Sequence, residues 1–110
     1  MAVVFITHKQ DDSYNFEKAK EWGDVRIMYI GRINVHEDGF KEAVLARMRG
    51  YKEGDYIALA GNRHICALVL AYALAIGKVK LLVYSNKNDR FNVYEMNWDD
   101  IREDLRGERI

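Results

Sequence analysis

Three features of this chain predict an α/β fold built on a mostly parallel sheet. Apolar runs rich in β-branched residues recur at 2–7, 25–30, 56–60 and 80–84, each of a length that suits a strand covered on both faces. Segments of helical spacing separate these runs. The fourth is followed by a polar turn cluster and an alternating segment, 90–96, which suits an antiparallel hairpin partner.

The first run, Ala2 to Thr7, ends at Thr7-His8-Lys9. Asp11, Asp12 and Ser13 then offer helix N-caps. Phe16, Ala19 and Trp22 would give a short charged helix one apolar edge, and Gly23 is placed to end it. Val25 to Ile30 forms the second strand, and Arg26 within it marks a position near a sheet edge. Asn34 and Glu37 have the spacing of a capping box, while Gly39 weakens that first turn and allows a later start. Phe40, Val44 and Met48 form a stripe at helical spacing, which Gly50 stops.

Asp55 to Tyr84 is the centre of the chain. Tyr56 to Ala60 reads as a strand, Gly61-Asn62 as a turn, and Arg63 to Ile76 as a helix apolar all round. Such a helix is buried on more than one side. One side can lie on the sheet; the other calls for the C-terminal segment, a neighbouring helix or a second subunit. Lys80 to Tyr84 is the fourth strand, Ser85 to Asp89 a turn, and Arg90 to Met96 the fifth strand. In a short acidic tail helix, Trp98, Ile101 and Leu105 are placed to dock on the body.

Right-handed crossovers restrict how these strands assemble. The spatial order 2-1-3-4-5 follows, with strand five antiparallel: a three-layer, truncated doubly wound sheet of the Rossmann/flavodoxin-like kind, in one domain spanning 1–110.

Composition narrows the function. Seventeen basic and seventeen acidic residues cancel, so no global field draws the protein to nucleic acid or to an anionic membrane. Near-zero charge offers little electrostatic protection from self-association and favours a homo-oligomer. One cysteine excludes an internal disulfide. The N-terminus lacks signal-peptide features, and the apolar run 65–76 would span only about 18 Å as a helix. A cytoplasmic protein is expected.

In the order 2-1-3-4-5 the chain reverses between strands one and three, and open α/β sheets bind ligands at such a point, at the carboxyl ends of the strands. Thr7, His8 and Lys9 would line it from one side and Gly61, Asn62, Arg63 and His64 from the other, with Arg32 joining laterally. Gly61 permits a sharp turn and close approach. The start of the following helix, beside Arg63, would favour a small anion such as a phosphate or carboxylate. The plainer reading makes Gly61 a turn residue, Asn62 an N-cap and Arg63 a solvated first-turn residue.

Neither a P-loop nor the G-x-G-x-x-G fingerprint is present, so a mononucleotide or small anion fits better than a dinucleotide. No cofactor is expected. His8 and His64 could face each other as acid and base, although each also suits a polar position at an element end. His64 and Cys66 point about 200° apart on a helix and cannot share a metal. Cys66 reads as a small buried hydrophobe. Ser13 and Ser85 are the only serines, both suited to caps or turns. The acidic residues Asp99, Asp100, Glu103 and Asp104 complement a helix dipole. Arg47, Arg49 and Lys52 around Tyr51 make a small basic-aromatic patch, and the balanced charge disfavours nucleic acid as its partner.

The stretch Gly54-Asp-Tyr-Ile-Ala-Leu-Ala-Gly61-Asn62, with the apolar helix and Lys80-Leu-Leu-Val-Tyr84, resembles small bacteriophage-encoded α/β proteins over about residues 54 to 98. The resemblance implies a viral accessory protein acting in a host cytoplasm, with a host protein as a further partner, and supplies no catalytic residues. The leading expectation is a non-enzymatic binding or interaction module. The alternatives are a small enzyme or sensor for a nucleotide or phosphate metabolite, and a weak nucleic-acid binder. Whether any reaction is catalysed stays open at this point.

Overall fold

The computed structural model describes residues 2–10 and 16–108. Five strands, β1 (Val3–Lys9), β2 (Asp24–Ile30), β3 (Tyr56–Ala58), β4 (Val79–Ser85) and β5 (Arg90–Met96), form one sheet in the order β2-β1-β3-β4-β5. All neighbours are parallel except β4 and β5, where Leu82 faces Val93 across an antiparallel hairpin. This is the order that the crossover rule predicts.

The same rule distributes the helices. The connections β2 to β3 and β3 to β4 run in one direction along the sheet, so right-handed crossovers place α1 (Phe40–Arg47) and α2 (Arg63–Ile76) on one face. The connection β1 to β2 runs the opposite way, and its described 3₁₀ turn, Glu17–Glu21, lies on the other face. Two cores result. Phe5, Val44, Ile57, Ile65, Val69 and Val79 pack on the helical face, and Val4, Ile6, Ala19, Ala58, Leu82 and Phe91 on the other.

Phe5 is fully buried, with the Tyr51 ring edge-on at 5.6 Å and the Arg26 guanidinium 5.0 Å above it. Asp55, 1% exposed, anchors the start of β1: its carboxylate accepts from Val3 N at 3.0 Å and from Lys52 N at 3.1 Å. A buried carboxylate is tolerated because both its oxygens are hydrogen-bonded.

Several elements differ from expectation. The segment after β1 forms a 3₁₀ turn rather than a fuller helix. Ala19 is buried there, with Phe16 and Trp22 packed on the second core; the expected caps Asp11, Asp12 and Ser13 lie outside the described residues. Asn34 makes no capping box. Its Oδ1 accepts from His36 N at 3.0 Å, a local turn that competes with helix initiation, and α1 begins only after Gly39, whose φ is 77°.

Strand β3 stops at Ala58, because the Thr7 hydroxyl takes over both backbone groups of Ala60. It donates to Ala60 O at 2.6 Å and accepts from Ala60 N at 2.7 Å. In helix α2 the exposed apolar positions are Ala67, Ala71 and Ala75, small side chains whose exposure costs little, and Ile76 at its C-terminal end, 56% exposed. Ile65, Val69, Ala73 and Leu74 are buried against the sheet and α1. The tail helix α3 (Trp98–Glu108) docks through Ile101, while Trp98 and Leu105 are 46% and 54% exposed.

Candidate functional site

The carboxyl ends of β1 and β3 meet as the crossover argument requires, and four of the expected residues interlock there. His8 is 4% exposed. Its Nε2 lies 2.6 Å from Gly31 O, and its Nδ1 accepts from Asn62 N at 2.9 Å. A carbonyl can only accept, so the ring is the tautomer that carries its proton on Nε2. Both nitrogens thus serve the backbone, tying the end of β1 to the end of β2 and to the turn after β3.

Gly61 makes room for that ring. Its φ is 74°, and a Cβ there would fall 2.5 Å from His8 Nδ1. Thr7, fully buried, is engaged with Ala60. Asn62 caps α2, its Oδ1 accepting from His64 N at 2.8 Å and Ile65 N at 3.2 Å. The crevice between β1 and β3 is therefore filled by its own side chains.

The other expected residues divide. Arg63 and His64 are exposed at the start of α2, whose first turn contains no acidic residue. Lys9 is half-buried, and its carbonyl accepts from Gly31 N at 2.9 Å. Arg32 lies apart, in the wall of a groove between β2 and α1. His8 and His64 thus differ in kind: one is a buried tie, the other an exposed first-turn residue. Cys66 is half-buried, its Sγ 3.4 Å from both Thr7 Oγ1 and Ala60 O. Among the described residues no cluster of three potential metal ligands occurs.

A larger opening lies beside the filled crevice, on the face covered by the 3₁₀ turn. It is a concave space of about 700 Å³ at the carboxyl ends of β3 and β4, walled by Phe16, Leu59, Val83, Tyr84 and Phe91 and reaching Gly61. Leu59, Val83 and Tyr84 are 39%, 45% and 44% exposed. Among the described residues the five-residue 3₁₀ turn covers only part of this sheet face, and the groove lies beside it.

The groove's rim is held by three side chains that sequence reasoning did not single out. Lys18 Nζ donates to the Asp89 carboxylate and, at 2.9 Å, to Asp89 O, while Tyr84 OH donates to the other Asp89 oxygen. The β4–β5 turn is thereby clamped to the 3₁₀ turn. The hydrogen bonds from Lys18 and then Tyr84 hold the Asp89 carboxyl below its usual range. The same bonds raise Lys18, and raise Tyr84 with help from burial. A polar turn cluster in sequence carries no sign of this; only the fold brings residue 18 to residue 89.

The basic patch changes character too. The Arg47 guanidinium lies 4.1 Å above the Tyr29 ring and donates to Met28 O at 2.8 Å, and Tyr51 is a core residue. The patch therefore presents no exposed aromatic for base stacking. No helix among the described residues is long and apolar enough to cross a membrane.

The family model for phage Pam3 gp32-like proteins matches residues 2–98. No curated protein and no solved structure matches the chain. With nearly its whole length matched, the chain belongs to the phage Pam3 gp32-like family, in keeping with the phage resemblance of its central stretch.

Proposed function

We propose that the protein is a non-enzymatic interaction module, a phage accessory protein that works in the host cytoplasm and self-associates through the groove between the 3₁₀ turn and strands β3 and β4. The observation that carries this reading is the apolar sheet face that the described residues leave open. Leu59, Val83 and Tyr84 are half-exposed around a concave apolar floor of Ala58, Leu82 and Phe91. An apolar patch with a polar rim is the usual build of a protein contact. The chain's formal charge of zero puts no net repulsion between two copies.

Size-exclusion chromatography with light scattering tests the reading. The wild type is expected to run as a dimer at micromolar concentration. Leu59→Asp, a change at the rim, is expected to run as a folded monomer with circular dichroism unchanged. A wild type that stays monomeric at the highest reachable concentration overturns self-association.

A second reading draws on the exposed pair Arg63 and His64 at the start of α2, where a nucleotide or other phosphate-bearing metabolite could lie. Against it, Asn62 already satisfies two N–H groups of that turn. Thermal shift with nucleotides and phosphorylated metabolites decides: stabilisation lost in Arg63→Ala supports a phosphate site, and no stabilisation by any of them removes it.

A further inference from the structure

The tail helix α3 leaves the outer line of its apolar stripe without a place in its own fold. Trp98 and Leu105 stand seven residues apart, so they fall within about 20° of one another on the helix surface. Ile101 is rotated about 60° from Trp98 and docks on the helical-face core. Trp98 and Leu105 stay 46% and 54% exposed. Two large apolar side chains at i and i+7 on an otherwise charged helix are the anchors of a helix laid in a groove.

The groove between the 3₁₀ turn and strands β3 and β4 is the matching cavity, yet α3 cannot reach its own. Met96 pairs with Val79, so α3 leaves the sheet at the amino end of β4. The groove reaches Tyr84, near the other end of that strand, about 17 Å further along. The sheet also lies between them, because Ile101 docks on the helical-face core. A second copy meets neither barrier: β5 is the last strand of the sheet, and α3 emerges directly from its end.

Charge and area are both suited to that occupant. Beside the Trp98–Leu105 line, Arg102 and Arg106 fall about 40° and 80° round from Trp98. They meet Asp99 and Glu103 only at 4.0 and 3.6 Å, in exposed pairs. The charged lining of the groove is Glu17, Lys18 and Asp89, two carboxylates against one ammonium, so its sign is opposite to that flank. Leu59, Val83 and Tyr84 in the groove, like Trp98 and Leu105 on the helix, are about half exposed and leave roughly 100 Å² apiece open. Counted in both directions of a reciprocal pair, these anchors come to about 1,000 Å². With their surroundings this approaches the roughly 1,200–2,000 Å² of a stable interface.

We propose that the groove is filled by the tail helix of a second copy, with Trp98 and Leu105 as anchors, exchanged reciprocally between the two chains. The inference rests on self-association through the groove and adds which segment of the second copy occupies it.

Light scattering on full-length variants provides the test. Trp98→Gln/Leu105→Gln changes two exposed side chains, so circular dichroism should match the wild type. At the micromolar concentration where the wild type is dimeric, this variant should be monomeric. Leu59→Asp blocks the groove and keeps the helix. Mixed at about 200 µM, the two variants should form a heterodimer, because one intact helix then meets one intact groove, with a Kd at least about tenfold weaker than that of the wild type. Neither variant should dimerise alone at that concentration. Should the double variant lose its circular dichroism, Leu105→Gln alone is expected to weaken the dimer about tenfold, and an unchanged Kd overturns the proposal. A monomeric wild type removes self-association and this inference with it. A dimeric wild type whose double variant is equally dimeric leaves the groove contact standing and overturns the helix as its occupant. So does a mixture of the two variants that holds only monomers.

Discussion

At Gly61 the backbone has φ 74°, and His8 occupies the space in which a side chain would begin. Two separate penalties follow for Gly61→Ala. A left-handed backbone costs an L-residue roughly 1–2 kcal/mol, and the clash with the imidazole adds an overpacking cost of about 1–3 kcal/mol. His8→Ala removes the clash along with the ties to Gly31 and Asn62. In a double-variant cycle the pair Gly61→Ala/His8→Ala should therefore be less destabilised than the sum of the singles, by about 1–3 kcal/mol. Urea unfolding of the four proteins measures this, and strict additivity would mean that the ring does not fill the crevice. Sequence alone put His8 and Gly61 at the same junction, because crossover handedness and strand order suffice for that. It could not show that one fills the space left by the other, since this depends on the pairing register between β1 and β3. Of the eight residues read as lining a ligand crevice, Thr7, His8, Gly61 and Asn62 interlock within it, while Lys9, Arg32, Arg63 and His64 stand outside that interlock.

At the scale of elements, the clamp between the 3₁₀ turn and the β4–β5 hairpin has a defined pH window. Asp89 is lowered by its bonds to Lys18 and Tyr84, so its contribution is present above the unfolded carboxylate range and is lost as pH falls through the lowered folded value. Lys18 and Tyr84 are raised. Their contributions are complete below their unfolded values and disappear as pH rises through the raised folded ones. The clamp should hold throughout the neutral range, weakening only as pH falls below the ordinary carboxylate range or rises above the ordinary tyrosine and lysine range. Because all three groups are exposed, the effect on global stability is small, and a local probe is needed. With ¹³Cζ-labelled tyrosine, the Tyr84 phenol should titrate at higher pH in the wild type than in Asp89→Asn. Identical midpoints would show that the carboxylate does not hold the hydroxyl. None of this was readable beforehand: Lys18 lies in a short charged segment and Asp89 in a polar turn, and each looks like an ordinary solvated residue until the sheet places them together.

Across the whole molecule, legibility follows how local the determining interaction is. Helix α2, its Asn62 cap and the hairpin were readable because periodicity and capping act within a few residues. The strand order was readable because handedness is a general rule. The tail helix shows where that stops. Asn97 caps α3, its Oδ1 accepting from Asp100 N at 2.9 Å and its Nδ2 donating to Asp100 Oδ2 at 3.0 Å, so the helix has a good local start. Its apolar stripe of Trp98, Ile101 and Leu105 suggested docking along the whole length, yet only Ile101 reaches the core. Partial burial of one isoleucine is worth about 1–2 kcal/mol, and the family match stops at residue 98. A chain ended after Asn97 should therefore fold, keep the β2-β1-β3-β4-β5 sheet, and lose about 1–2 kcal/mol in urea, a fall in Tm of roughly 4–12 °C. Loss of cooperative unfolding, or a deficit above about 4 kcal/mol, would mean that α3 supports the sheet well beyond the contact at Ile101.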